Sequence, residues 1–103
     1  MVTRESAIEI VKAFVNECMG KGIRFYKVLL FGSFAKNLAH EHSDIDLLLI
    51  SDQFSDNIFE NLKIYSKINI KYPRIETHPY TTAQYLANNE FINEIIKESI
   101  TIA

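Results

Sequence analysis

The chain is poor in cysteine, glycine and proline: one, three and two residues among 103. A single cysteine, Cys18, rules out an internal disulfide and fits a reducing compartment. Few glycines and prolines, with no repeat or biased tract, leave no flexible linker and point to one continuous domain over 1–103. No apolar run approaches the roughly 20 residues of a membrane span, and the N-terminus lacks the apolar core of a signal peptide. The expectation is a soluble, cytoplasmic protein. Charge of one sign is also missing: 11 basic and 13 acidic side chains give a formal net charge of -2. That is not the basic footprint of a nucleic-acid binder, so a large polyanion is a poor partner.

What is present is apolar patterning, with 48% hydrophobic residues. Ile8, Val11, Val15 and Cys18 recur at helical spacing within 4–19, after the N-cap candidates Thr3 and Ser6 and before Gly20 and Gly22. Residues 24–31 and 44–51 read as buried strands, 33–39 as a short helix between them and 40–43 as a polar loop. A helix over 57–70, capped by Ser55 or Asp56, ends before Pro73. A short strand over 74–80 is stopped or placed at an edge by Pro79. A helical turn near 83–86, a helix over 90–99 and a tail strand over 100–102 complete an α/β (α+β) pattern, a small sheet with helices packed on it.

The chemistry concentrates between the first two strands. An apolar strand runs through Phe31 into Gly32-Ser33, ten residues intervene, and Asp44-Ile45-Asp46 opens the next strand. Side chains alternate along a strand, so Asp44 and Asp46 share a face. Like charges so placed repel unless a proton or cation offsets them, and a hard divalent cation with oxygen ligands is a natural solution. Glycine before a helix lets a ligand approach the backbone, and the helix start offers free N–H groups to phosphate. Separately, each segment also reads as an ordinary turn and an ordinary strand end.

Gly-Ser, ten residues, Asp-x-Asp resembles the signature of the nucleotidyltransferase superfamily with the DNA polymerase β-like fold. Length and layout resemble its minimal members, the MNT domains, over nearly the whole chain. The resemblance implies a third carboxylate on a later strand, and Glu76 is the matching candidate. It implies that Asp44 and Asp46 hold two Mg²⁺ ions and that Glu76 ligates one of them. It implies that Gly32, Ser33 and Lys36 face the phosphates of a nucleoside triphosphate, with ATP as the expected one. One ion would hold the triphosphate and the other would activate an acceptor hydroxyl for attack on the α-phosphorus. It also implies a HEPN-domain toxin as partner, with this chain as antitoxin transferring AMP to a toxin tyrosine. The same fold acting as a non-catalytic binding module is the rival expectation, and an aminoglycoside-type or RNA nucleotidyltransferase fragment a third.

Several residues depart from the family pattern or stand beside it. Phe34 replaces a frequent arginine, and Ala35-Lys36-Asn37 replaces Ala-Arg-Gly. Lys36 keeps a positive charge without arginine's two-pronged geometry. The third acid is more often Asp, and Glu76 is one methylene longer. His40 and His42 read as solvated loop residues. His78, two residues from Glu76, could orient that carboxylate or touch a nucleotide, or lie bland at the surface. Tyr80 and Tyr85 read as core, with a base pocket as the alternative.

Overall fold

Alternation along the two central strands divides the apolar residues between two sheet faces, and each face recruits different helices. The computed structural model describes residues 2–40, 42–87 and 89–103, so Glu41 of the expected polar loop lies outside the described residues. The elements run α1 (Arg4–Gly20), β1 (Lys27–Phe31), α2 (Gly32–Ala35), β2 (Ile45–Ile50), α3 (Ile58–Asn69), β3 (Ile75–Tyr80), α4 (Thr82–Leu86), α5 (Glu90–Lys97) and β4 (Ile100–Thr101). The sheet order is β3-β2-β1-β4. β1 pairs antiparallel with β2 and β4, whereas β2 and β3 are parallel, joined by the α3 crossover. This is the mixed sheet with helices packed on it that the pattern implied, with Pro79 on an edge strand and the tail strand on the opposite edge.

On one face, Val28, Leu30, Ile45, Leu47 and Leu49 meet Val11, Phe14 and Cys18 of α1 and Tyr65 and Ile68 of α3. Phe14 stands edge-on to Tyr65, with ring centroids 6.4 Å apart. On the other face, Leu29, Leu48 and Ile50 pack against Ile92 and Ile95 of α5. Burial raises the Cys18 thiol to about 11, in keeping with a small buried hydrophobe.

Helix ends follow local chemistry. Thr3 and Ser6 form a reciprocal capping box at α1. The cap of α3 is Asn57, whose Oδ1 accepts from the Phe59 and Glu60 N–H groups, not Ser55 or Asp56. The Ser55 backbone is held by the buried Asn61 amide instead. The helix expected over 33–39 stops at Ala35 because Asn37 takes a positive φ of 60°. The Leu38 N–H bonds the Ser33 carbonyl and the Asn37 N–H bonds that of Phe34, a Schellman closure. Asparagine is the residue after glycine most tolerant of that conformation, so Asn37 performs the turn that glycine makes in the family pattern. β1 begins at Lys27, not at residue 24. The Arg24 N–H is bonded by the Gln53 side chain and its carbonyl by the Ser51 hydroxyl, which keeps that stretch off the ladder.

Candidate functional site

Three strands deliver the site in one row. Phe31 at the end of β1 lies opposite Asp46 at the start of β2, and Asp46 lies opposite Glu76 at the start of β3. Alternation puts Asp46 on the same face as Leu48 and Ile50, the face that α5 covers. β3 is locked in orientation from the other side. The Thr77 hydroxyl bonds the Tyr65 hydroxyl at 2.8 Å and the Asn69 side chain at 3.1 Å, both from α3. Thr77 therefore faces α3, and its neighbours Glu76 and His78 face the site.

The structure brings Asp46, Glu76 and His78 together, with one donor atom from each lying within 4.8 Å of the others. His78 Nε2 is 3.8 Å from Asp46 Oδ1 and 3.9 Å from Glu76 Oε1. The His78 ring also packs against Phe31, centroids 5.2 Å apart. Asp44 is exposed, lies just before β2 and is not part of this tight group. It still acts on it: the Asp46 carboxyl is held above the usual aspartate range, first by burial, then by the charge of Glu76, with Asp44 adding to the rise and His78 opposing it.

Gly32 has a role that close approach of a ligand does not describe. Its φ is +75°, and a Cβ there would overlap Asp46 Oδ2 and lie 3.1 Å from Asp46 Cγ. The bare backbone makes room for the Asp46 carboxylate, so turn and acid are built as one unit. Ser33 follows in the first turn of α2, whose N-terminus has no side-chain cap.

Lys36 is directed elsewhere: its ammonium pairs with Glu98 at 3.3 Å, both side chains being largely exposed. With Phe31, Gly32, Phe91, Glu94 and Ile95, the pair lines a cleft of about 200 Å³ beside the Gly32 turn. Phe34 is buried in the α1 face of the core. The position that carries arginine in the family pattern is thus a packing position here. Tyr80 and Tyr85 pack against the second core cluster, and His40 and His42 are exposed.

Sequence reasoning had His78 on the right face but left its role open. Arg74 was missed: its guanidinium donates to the Ser43 carbonyl at 2.7 Å, while the Ser43 hydroxyl accepts from the His40 N–H. These contacts tie the loop before Asp44 to the start of β3. The one available signal was Arg74 standing two residues ahead of the third acid.

The residues fit a divalent cation. Oxygen and nitrogen donors converge within bonding reach of one centre, and burial with like charge penalises the Asp46 carboxylate when no counter-charge is present. No helix among the described residues is long and apolar enough to cross a membrane.

Comparison with known proteins agrees with this geometry. A relative from Methanocaldococcus jannaschii, provisionally named a protein adenylyltransferase, is 36% identical over 63 residues, and the match spans 60% of each chain. The fold is shared with a provisionally named nucleotidyltransferase from Sulfolobus solfataricus at a TM-score of 0.73 and 17% identity, over 95% of this chain and 80% of that one. It is also shared with a chain of a toxin–antitoxin complex crystallised with AMP-PNP, at a TM-score of 0.62 and 15% identity, over 89% of this chain and 72% of that one. The family model of the nucleotidyltransferase domain matches residues 11–101, and the chain belongs to that family.

Proposed function

We propose that this chain is a metal-dependent nucleotidyltransferase that moves AMP from ATP to an acceptor hydroxyl, and that the acceptor is a tyrosine on a HEPN-domain toxin for which the chain is the antitoxin. The observation that carries the reading is the Asp46–Glu76 pair in register beside the Gly32 turn. The relative named for protein adenylyltransfer and the fold shared with a toxin–antitoxin chain support the choice of acceptor.

Asp46 and Glu76, with Asp44 at the mouth, would hold Mg²⁺, two ions by the family resemblance. Bound there, the metal would supply charge neutralisation of the triphosphate and a lowered pKa for the acceptor hydroxyl. The uncapped N–H groups of Gly32 and Ser33 and the Ser33 hydroxyl receive phosphate oxygens. Glu76, more exposed than Asp46, accepts the acceptor's proton. The acceptor oxygen bonds to the α-phosphorus as the bond to the bridging oxygen breaks, and pyrophosphate leaves with that electron pair. Lys36 must leave Glu98 to reach phosphate, an exchange that costs little because exposed pairs contribute only about 0–1 kcal/mol.

A second reading is favoured by the burial of Phe34 and the engagement of Lys36. Here the domain has lost grip on nucleotide and neutralises its partner by binding alone. One experiment separates them: incubation with α-³²P-ATP and Mg²⁺, with and without the neighbouring gene product, for wild type and the Asp44→Asn/Asp46→Asn double variant. Label on the neighbour from wild type only establishes the transferase. No label, with a stable complex formed by both proteins, establishes the binding module.

A further inference from the structure

Resting on that reading of the site, we infer that His78 is a metal ligand through Nε2, and that the Asp46–Glu76–His78 group selects Mn²⁺ or a similar first-row transition ion over Mg²⁺. Nε2 is buried without a hydrogen-bond partner, although two carboxylates stand beside it. At 3.8 and 3.9 Å from those oxygens it is too far to hydrogen-bond either one. Two donors each about 2.1 Å from a common ion lie roughly 3.0–4.2 Å apart, so both separations suit atoms that share an ion. The ring is held in place for ligation. The Tyr65 and Asn69 contacts of Thr77 fix the strand, and Phe31 packs on the imidazole.

The donor set then decides the metal. Mg²⁺ prefers oxygen donors and keeps much of its water, whereas imidazole nitrogen raises affinity along the transition series. Two carboxylates and one imidazole on adjacent strands form a mixed oxygen–nitrogen site that binds Mn²⁺ more tightly than Mg²⁺, while the carboxylates alone still accept Mg²⁺.

The test loads the intact protein with Mn²⁺ alone, without nucleotide, and reads nitrogen coupling by electron spin echo modulation. Calorimetric titrations with Mn²⁺ and Mg²⁺ accompany it for wild type, His78→Gln and Asp46→Asn. Histidine labelled with ¹⁵N in the wild-type protein reports ligation without any substitution. Expected are a histidine nitrogen signal in wild type, its loss in His78→Gln, a Mn²⁺ affinity lower by about tenfold or more, and a Mg²⁺ affinity changed by no more than about twofold. A nitrogen signal that survives His78→Gln assigns the coupling to another histidine and overturns the inference. Mn²⁺ bound by wild type without nitrogen coupling, and lost in Asp46→Asn, overturns the role of His78 while leaving the carboxylate site and the proposed transferase standing. Absence of Mn²⁺ and Mg²⁺ binding by wild type overturns both.

Discussion

The two faces of the sheet are built from the same two central strands, yet they solve opposite problems. The face under α1 and α3 is mainly apolar, with Val11, Phe14, Leu30, Leu47 and Leu49 fully buried and the Thr77 hydroxyl paired with Tyr65 and Asn69. The face under α5 has a small core of Leu29, Leu48, Ile50, Ile92 and Ile95, and beyond it the row of Asp46, Glu76 and His78. Along β2 the two alternate residue by residue: Ile45, Leu47 and Leu49 serve stability, while Asp46 sits among Leu48 and Ile50 and carries charge into a partly desolvated corner. One face gains by burying apolar side chains. The other stops short of closure and leaves the Asp46 and Glu76 carboxylates partly open to solvent.

The sharpest break between the faces is expected at Asp46. Asp46→Asn removes a carboxylate proposed to hold the metal and is expected to lower transfer by at least about 10³-fold in the labelling assay. The same change is expected to raise the melting temperature by about 1–3 °C without metal. The sign follows from the carboxyl lying above its ordinary range in the fold: the folded state favours the proton, so this group's contribution is lost as pH rises through its pKa. Calorimetry from pH 4 to 7 should show that contribution in wild type and not in Asp46→Asn. A melting temperature that falls would refute the view that this carboxylate is destabilising in the metal-free fold.

Gly32→Ala is the next largest effect. Its Cβ would enter the space of the Asp46 carboxylate at a φ that disfavours alanine, so activity is expected to fall by about 10²-fold through misplacement. Metal affinity measured beside kcat should fall with it. Phe14→Ala probes the closed face and should invert the pattern: stability falls by about 3–5 kcal/mol on denaturant titration. Activity per folded molecule should change little. Cys18, with its thiol pushed up to about 11, should react with iodoacetamide at pH 8 about 100-fold more slowly in the folded chain than in urea. Its contribution to stability is present below pH 9 and declines between pH 9 and 11. The smallest effect is Glu98→Gln, which frees Lys36. Stability should shift by less than about 0.5 kcal/mol, while KM for ATP falls if Lys36 serves phosphate.

Most elements were legible because each declares itself by a local rule. Helical spacing marked α1 and α3, continuous apolar runs marked β1 and β2, and Pro79 marked a strand end or an edge. The misjudged boundaries lie where side chains replace backbone partners. Gln53 and Ser51 take up the Arg24 backbone and shorten β1, Asn61 occupies the Ser55 backbone and leaves capping to Asn57, and Asn37 ends α2 early. None of these depends on periodicity, so no pattern of apolar residues reveals it. The site divided in the same way. Gly32 and Asp46 stood out by type and spacing and Glu76 through the family resemblance, whereas the partner of Lys36, the burial of Phe34 and the tie from Arg74 to Ser43 depend on segments far apart in the chain.

Sequence alone determined the strands, the turn and the carboxylates that open β2, because strand period and glycine's freedom act over a few neighbouring residues. Only the tertiary structure decided that Asp46 fills the space Gly32 leaves, that Glu76 stands beside it across a parallel pair, and that His78 rather than Asp44 completes the tight group. Those facts depend on register and packing between strands separated by a helix. There a shift of one residue would turn every one of these side chains to the other face.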